Sequence, residues 1–423
     1  MYLPLQNVPS LSWVSDLANL KICILTFGCT YNEGDSHWLS AILTHLGYQI
    51  LADPTEADVI ILNTCIVIEK TERKMVRLIR DYLHRGKDVV VTGCLPCARR
   101  EILDEFPQVR TIFPHEIHQA SHGFSLSTAG PIAVIQIGPG CLGTCRYCIT
   151  RNARGRIKSL PIDVILSRIR EAVDGGAVEI RLTGQDLSAY GCDRNGPQLP
   201  SLLKGITQIP GFYRVRLGMM NPATLIPIAG NVAEIIRDEH FFSFVHLPVQ
   251  SGSDNVLTLM ERGYTTSQYL DLIGLFREMI PDITIATDFI AGFVGEREED
   301  FKDTCILLKN IRPGMVNVTR YSFRPGSTAS RDHELPDRIR KDRSRELVRI
   351  GYEILKEEKQ KMVGRICKVI ITEKVKAGTV MARTESYLGV VICDDLEVGK
   401  KYLAHITGER THYLTGKVIS ADL

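Results

Sequence analysis

At 423 residues, with 44 % hydrophobic and 24 % charged side chains, the chain is too long for one ordinary core and is composed like a folded protein rather than a disordered one. Its 51 Lys and Arg stand against 49 Asp and Glu, so no overall basic field draws in nucleic acid, and any such surface must be local. No stretch reaches the roughly 20 apolar residues of a membrane span, and residues 1–20, an N-terminal extension, lack the basic cluster and apolar run of a signal peptide, so a cytoplasmic protein is expected.

From Lys21 the pattern alternates. KICILTFG, DVIILNT from Asp58 and KDVVVTG from Lys87 are short apolar runs closed by Gly or polar residues, and helical stretches at 35–46 and 68–84 fall between them. Strands alternating with helices predict a parallel, Rossmann-like α/β domain over 21–125. Across 130–360 the rhythm lengthens, with strands expected at 132–137, 179–183, 213–217, 243–249, 284–290 and 316–323. Helices at 161–173, 223–237, 266–279 and 298–310 separate them. Six such units are too few for a closed eight-fold barrel and predict an open, partial one, with its active site at the carboxyl ends of the strands. Residues 336–362 form a charged helix whose basic residues are read as a solvated face. From 361 to 423, five short strands punctuated by glycine predict a small all-β barrel, an architecture often used for nucleic acid.

The twelve cysteines are many for a compartment that keeps thiols reduced, and point to metal or redox chemistry. Cys141, Cys145 and Cys148 lie in GCLGTCRYCIT, directly after an expected strand. Three thiolates on one short loop can hold three corners of a [4Fe–4S] cluster, and the missing fourth ligand leaves one iron open to chelate S-adenosylmethionine (SAM). Zinc sites usually close with four ligands, and no fourth stands nearby. Tyr147 is placed to shield the cofactor. Cys29, Cys65 and Cys94 each follow a strand of the first domain. The carboxyl ends of parallel strands converge on one crevice, so these three can meet there around a second [4Fe–4S] cluster; the alternative is buried thiols behaving as small hydrophobes. Cys97, in GCLPC, competes with Cys94, which is preferred for its place at the strand end. Cys23, Cys192, Cys305, Cys367 and Cys393 are read as structural.

Polar residues at barrel strand ends are candidates for holding SAM: Gly184 and Gln185 in LTGQD, Gln250 and Ser251 in PVQSGS, and Asp288 in TDFIAGF. His246 is read as a packed strand-end histidine. Arg146, Arg151, Arg154, Arg156 and Lys158 form a run without an acid beside the radical loop, where RNA phosphates would approach. In the terminal barrel Lys368, Arg383, Lys400, Lys401, Arg410 and Lys417 are further phosphate contacts, with Tyr387 and Tyr413 as stacking groups.

TFGCTYNEGDS, ILNTCIV, TGCLP, GCLGTCRYC, LTGQDLSAYG, HLPVQSGSDNVL, TDFIAGF and RYSFRPGSTA, in this order, resemble the methylthiotransferase family of radical SAM enzymes. ITRNARGRIKSLP, RLGMMNPAT and AYGCD are most similar to its archaeal and eukaryotic branch, and the absence of an apolar tail after Leu423 resembles the archaeal members. The resemblance implies an auxiliary cluster on Cys29, Cys65 and Cys94, a radical cluster on Cys141, Cys145 and Cys148, and a C-terminal TRAM domain that grips RNA. It also implies two uses of SAM, as methyl donor to sulfur and as radical source, plus an external electron donor. The substrate it implies is N6-threonylcarbamoyladenosine in the anticodon stem-loop of tRNA, at position 37. Other branches act on isopentenyladenosine in tRNA or on a ribosomal-protein aspartate. Of a different class is a non-catalytic RNA-binding protein with structural metal or cluster sites.

Overall fold

The structure is a computed structural model that describes residues 20–121, 130–329 and 334–421. The expected N-terminal extension, and with it the reading on a signal peptide, lies outside the described residues except for Leu20.

The first layer is a five-stranded, wholly parallel sheet. Its strands are β1 (Lys21–Thr26), β2 (Gln49–Leu51), β3 (Val59–Thr64), β4 (Asp88–Gly93) and β5 (Arg110–Thr111), in the order β2-β1-β3-β4-β5. The helices α1 (Thr30–His45), α2 (Glu69–His84), α3 (Leu95–Ala98) and α4 (Pro114–Ala120) connect or flank them. β3 is buried at every position, which is why VIILNT reads as a continuous rather than an alternating run. The strand order reverses between β1 and β3, the switch point where such sheets bind ligands. α1 begins at Thr30 rather than at 35, because its first turns bury polar residues (Asn32, Asp35, Ser36) that carry no apolar period.

The central unit holds six parallel strands. β6 (Ile132–Gln136), α5 (Thr150–Arg154), α6 (Ile162–Asp174), β7 (Glu179–Thr183), α7 (Leu199–Ile206) and β8 (Arg214–Leu217) make its first half. α8 (Pro222–Leu225), α9 (Ala229–Ile235), β9 (Phe244–His246), α10 (Asp254–Leu259), α11 (Thr266–Met279), β10 (Thr284–Ala291), α12 (Glu298–Ile311) and β11 (Met315–Arg320) complete it. The two three-stranded sheets, β6-β7-β8 and β9-β10-β11, are stitched by single bridges at Val215–Phe241 and Met219–His246. An open partial barrel results. The helix expected over 223–237 is broken at Pro227 into α8, a 3-10 turn and α9, since proline lacks the N–H that the helix ladder needs. β9 is shorter than expected because Pro248 cannot donate and Gln250 takes φ 72°.

α13 (Asp337–Gln360) buries Leu347, Ile350 and Ile354, while Arg349 on its exposed side pairs with Glu346 and Glu353 of the same helix. β12 (Ile366–Lys376), β13 (Thr379–Thr384), β14 (Gly389–Ile392), β15 (Lys401–Glu409) and β16 (Leu414–Ala421) then close into a barrel in the order β12-β13-β14-β16-β15. Val369, Ile371, Val390, Ala404 and Leu414 are among its core. The three units lock together through polar contacts. Gln136 on β6 donates to Tyr31 O (2.9 Å) and Asp35 Oδ1 (2.7 Å) of α1, and Arg324 pairs with Glu72 of α2. Tyr387, between β13 and β14, inserts its ring beside Phe242 and Phe244, at 4.8 and 5.1 Å, and donates to Glu179 Oε1 at 2.7 Å. Among the described residues no helix is long and apolar enough to cross a membrane.

Candidate active site

Cys29 caps α1 in extended conformation, Cys65 follows β3 and Cys94 follows β4, so all three stand on the carboxyl edge of the sheet, Cys29 and Cys65 on either side of the switch point. Gly28 (φ 109°) makes the approach possible: a Cβ there would stand 2.7 Å from Cys65 Cβ and 3.0 Å from its sulfur. Asn32 ties the strand ends, its amide donating to Phe27 O (2.8 Å) and Thr64 O (2.9 Å). Cys65 and Cys94 are buried and Cys29 is exposed. Burial pushes the Cys65 thiol up and the Cys94 thiol up to about 12, with Arg154 pulling the latter back and the charges of Cys29 and Cys65 adding to the rise. Cys97 is also pushed up, to about 11, but its neighbours are Arg154, Asp35 and Glu116 rather than the other thiols. Buried thiols this reluctant to ionise, gathered in mutual repulsion, fit a group that binds thiolate and brings positive charge of its own.

The loop between β6 and α5 carries the other three. Gly143 N–H donates to Cys141 Sγ at 3.2 Å, and a Cβ on Gly143 would face both Cys141 and Cys145 sulfurs, at 3.4 and 3.6 Å. Arg262, which the sequence reading passed over, is buried with Nη1 donating to Cys145 Sγ (3.2 Å) and Tyr147 OH (3.3 Å), and Nη2 to Pro248 O (2.9 Å). Burial, then Asp186, push Cys141 up to about 11. N–H donors and a cation aimed at sulfur suit a ligated thiolate and fit a cluster at this loop. Among the described residues no group of three or more Cys, His, Asp or Glu is gathered closely enough for a single metal ion. A cubane spreads its thiolates over separate irons and asks for a wider cage.

At the strand ends beside this loop, Asp288 accepts from Asn317 (2.8 Å) and stands 3.0 Å from His246 Nε2. Burial raises its pKa, but these partners outweigh that and hold the carboxyl below its ordinary range. His246 is thus a partner of Asp288 rather than a merely packed ring. Gln185 Oε1 accepts from Gly140 N at 2.7 Å and braces the cluster loop, and Gly184 lies between Leu187 and Ile137. Gln250 is buried in a left-handed turn. Tyr147 sets its ring edge-on to Phe293 at 6.3 Å. Ser251 departs from the expectation for a SAM contact. It is fully buried, its hydroxyl 3.2 Å from that of Thr304 and accepting from Ser253 N, so it builds the turn before α10.

Of the expected phosphate contacts, Arg156 and Lys158 are exposed and Arg151 is half-buried, 3.4 Å from Gly143 O; Lys368 and Lys417 are exposed on the terminal barrel. Three expectations are corrected. Arg154 is buried in the first domain, paired with Asp35 and donating to Asn32 Oδ1 at 2.7 Å, because an acid from a distant part of the chain claims it. Arg383 is half-buried and stacks on the Tyr387 ring at 4.7 Å with its Nε buried, so its guanidinium is engaged in the domain junction. Tyr387 is buried between the units rather than presented to RNA, and Lys401, half-buried, caps the Phe212 ring at 3.8 Å.

Residues 21–114 match the uncharacterized protein family UPF0004, residues 135–308 the radical SAM superfamily and residues 360–419 the TRAM domain. The probable threonylcarbamoyladenosine tRNA methylthiotransferase of Methanothermobacter thermautotrophicus is 38 % identical, over 88 % of this chain and 93 % of that protein. Its counterpart from Archaeoglobus fulgidus is 36 % identical over 94 % and 99 %, and the threonylcarbamoyladenosine tRNA methylthiotransferase of Homo sapiens 31 % over 95 % and 74 %. With relatives this similar along nearly its whole length, and a radical SAM core between the sheet and the barrel, the chain belongs to the threonylcarbamoyladenosine tRNA methylthiotransferase family of radical SAM enzymes.

Proposed function

We propose that the protein converts N6-threonylcarbamoyladenosine at position 37 of tRNA to its 2-methylthio derivative in the cytoplasm, with SAM, two [4Fe–4S] clusters and an external one-electron donor. In this reading residues 21–125 hold the auxiliary cluster on Cys29, Cys65 and Cys94. Residues 130–360 hold the radical cluster on Cys141, Cys145 and Cys148, and 361–423 grip the RNA. The observation that carries it is the adjacency of the two cysteine sets: α5, which follows Cys148, packs on α3, which follows Cys94.

C2 of an adenine ring has no proton that a side chain can remove, so the bound clusters and SAM supply the radical and sulfur chemistry. The chain's own work is to position and to exclude water. Asn32 and Gly28 hold the strand-end thiols together, Arg262 and Gly143 orient the loop thiols, and Asp288, held ionised by His246 and Asn317, offers a fixed acceptor to a cationic ligand at the barrel mouth. Arg151, Arg156 and Lys158 border this mouth as phosphate contacts.

Anaerobic reconstitution should yield about eight irons per chain, four for each cubane. Mass spectrometry of nucleosides should detect 2-methylthio-N6-threonylcarbamoyladenosine only in tRNA exposed to the reconstituted protein. Stoichiometric zinc with little iron would favour the non-catalytic RNA-binding reading, and a methylthio group on isopentenyladenosine or on a ribosomal-protein aspartate would reassign the substrate.

A further inference from the structure

The inner wall of the open barrel carries positive charge that its own residues do not balance. β7 and β8 pair in the register Arg181–Arg216. Their neighbours Ile180, Leu182, Val215 and Leu217 are buried on the opposite face, so the two arginines project together from the inner one. Arg181 is committed: Nε donates to Glu179 Oε1 at 2.7 Å and Nη1 stands 3.6 Å from Glu33. Glu179 accepts from Arg181 and Tyr387 through Oε1 alone; its Oε2 is buried without a hydrogen bond and lies outside ion-pair distance of Arg216.

Arg216 has no such partner. Among the described residues no carboxylate lies within ion-pair distance of it, and its Nε is buried without a hydrogen bond. Its neighbours are the Phe244 ring at 5.0 Å and the Tyr387 ring at 5.8 Å. Arg383, stacked on the ring of the same tyrosine at 4.7 Å, adds a third cation rather than a counter-charge. Burial followed by the two neighbouring arginines lowers the pKa of Arg216 against the help of Tyr387 and Glu179. Arg216 is half-buried, and a guanidinium whose Nε is buried without a hydrogen bond and which has no counter-ion is costly; such groups are found where a ligand completes them.

We propose that Arg216, flanked by Arg181, is the recognition group for the free carboxylate of the substrate's threonyl side chain. This inference rests on the function proposed above. A threonine joined to the base through its amine keeps its carboxylate, a planar pair of oxygens that matches the guanidinium fork. The backbone phosphates of RNA run along the outside of a bound stem-loop, whereas this cation lies on the inner wall of the barrel beneath aromatic rings. SAM also carries a carboxylate, and the experiment separates the two.

The reconstituted enzyme is given anticodon stem-loops carrying the threonylcarbamoyl group either as the free acid or as its uncharged carboxamide. The expected result is kcat/KM lower for the carboxamide by roughly ten- to a hundredfold, the range for removing one partner of a charged hydrogen bond. In Arg216→Met the acid should lose that advantage, in Arg216→Lys it should regain part of it, and the equilibrium dissociation constant of SAM should not move in either. Equal turnover of acid and carboxamide by the unmodified enzyme overturns the inference and leaves the proposed function standing. Weakened SAM binding in Arg216→Met, with the preference for the acid intact, overturns it as well. Product from isopentenyladenosine stem-loops and none from the acid overturns the function itself. The comparison on the unmodified enzyme decides the matter even if Arg216→Met does not fold.

Discussion

Arg154 and Asp35 form an ion pair, Nη1 to Oδ2 at 2.6 Å, in which both side chains are almost wholly removed from solvent. Arg154 closes the short helix that follows the radical loop, and Asp35 sits in the helix that follows Cys29, so one buried bond ties the carriers of the two cysteine sets together. Replacing Arg154 with Ala strands a carboxylate that, among the described residues, keeps His118 and Gln136 as polar partners. The expected loss is about 3–5 kcal/mol, read by denaturant unfolding of the anaerobically purified protein, with Arg154→Lys intermediate.

The same pair has an acid limit. Burial raises the pKa of Asp35, and Arg154, His118 and Gln136 bring it below the ordinary value of 3.8. A carboxyl with a depressed folded pKa stabilises the fold fully above its unfolded pKa and loses that contribution as pH falls through the folded value. Stability measured from about pH 6 down to about pH 3 should therefore decline more steeply in the unmodified protein than in Asp35→Asn, which starts lower. Parallel curves would remove Asp35 from the acid response.

Cysteine replacement divides the labour. Cys145→Ala should abolish SAM cleavage to 5′-deoxyadenosine. Cys65→Ala should keep uncoupled cleavage, retain about four irons per chain and form no methylthio product. Repeated product turnover by Cys65→Ala would free the strand-end set from its proposed role.

Arg262 sets a charge beside Cys145, and a cation near a cluster favours its reduced state. Arg262→Met should lower the midpoint potential of the radical cluster in an EPR-monitored titration and cost about 1 kcal/mol from the carbonyl of Pro248, which would keep only the longer bond from Tyr264 OH at 3.3 Å. An unchanged potential would leave Arg262 a packing residue only.

Tyr387→Phe removes the hydroxyl that Glu179 accepts while keeping the ring. A cost of about 1–3 kcal/mol is expected for a buried carboxylate that loses one donor, and unfolding of the terminal barrel should then separate from that of the core.

The periodic parts of the fold were readable because single residues carried them. β3 is an unbroken apolar run buried at each position, and the cysteine loop sits directly after β6, where the spacing alone indicates a cluster with a vacant corner. What escaped reading was polar and long-range. Arg154 stands in a run of basic residues that resembles a phosphate contact, yet one of its partners, Asn32, lies 122 residues away in sequence. Arg262 carries no motif, since its service to Cys145 exists only after α10 has folded against the loop. Tyr387 and Arg383 looked like groups for RNA because an aromatic beside an arginine serves equally to stack a base or to join two domains. The first turns of α1 were missed for the same reason: the buried face of that helix is made of the residues that organise Cys29 and Cys65.

The ring of Tyr387 packs against Phe242 and Phe244 at the amino-terminal end of the six-strand barrel, so the terminal β-barrel doubles as the floor of the reaction vessel. Severing the chain after α13 would not merely cost affinity for tRNA; it would uncork the vessel from below and admit water to a site that must stay dry. Catalytic defects in such a truncation would persist at saturating RNA, when the grip itself no longer limits the rate.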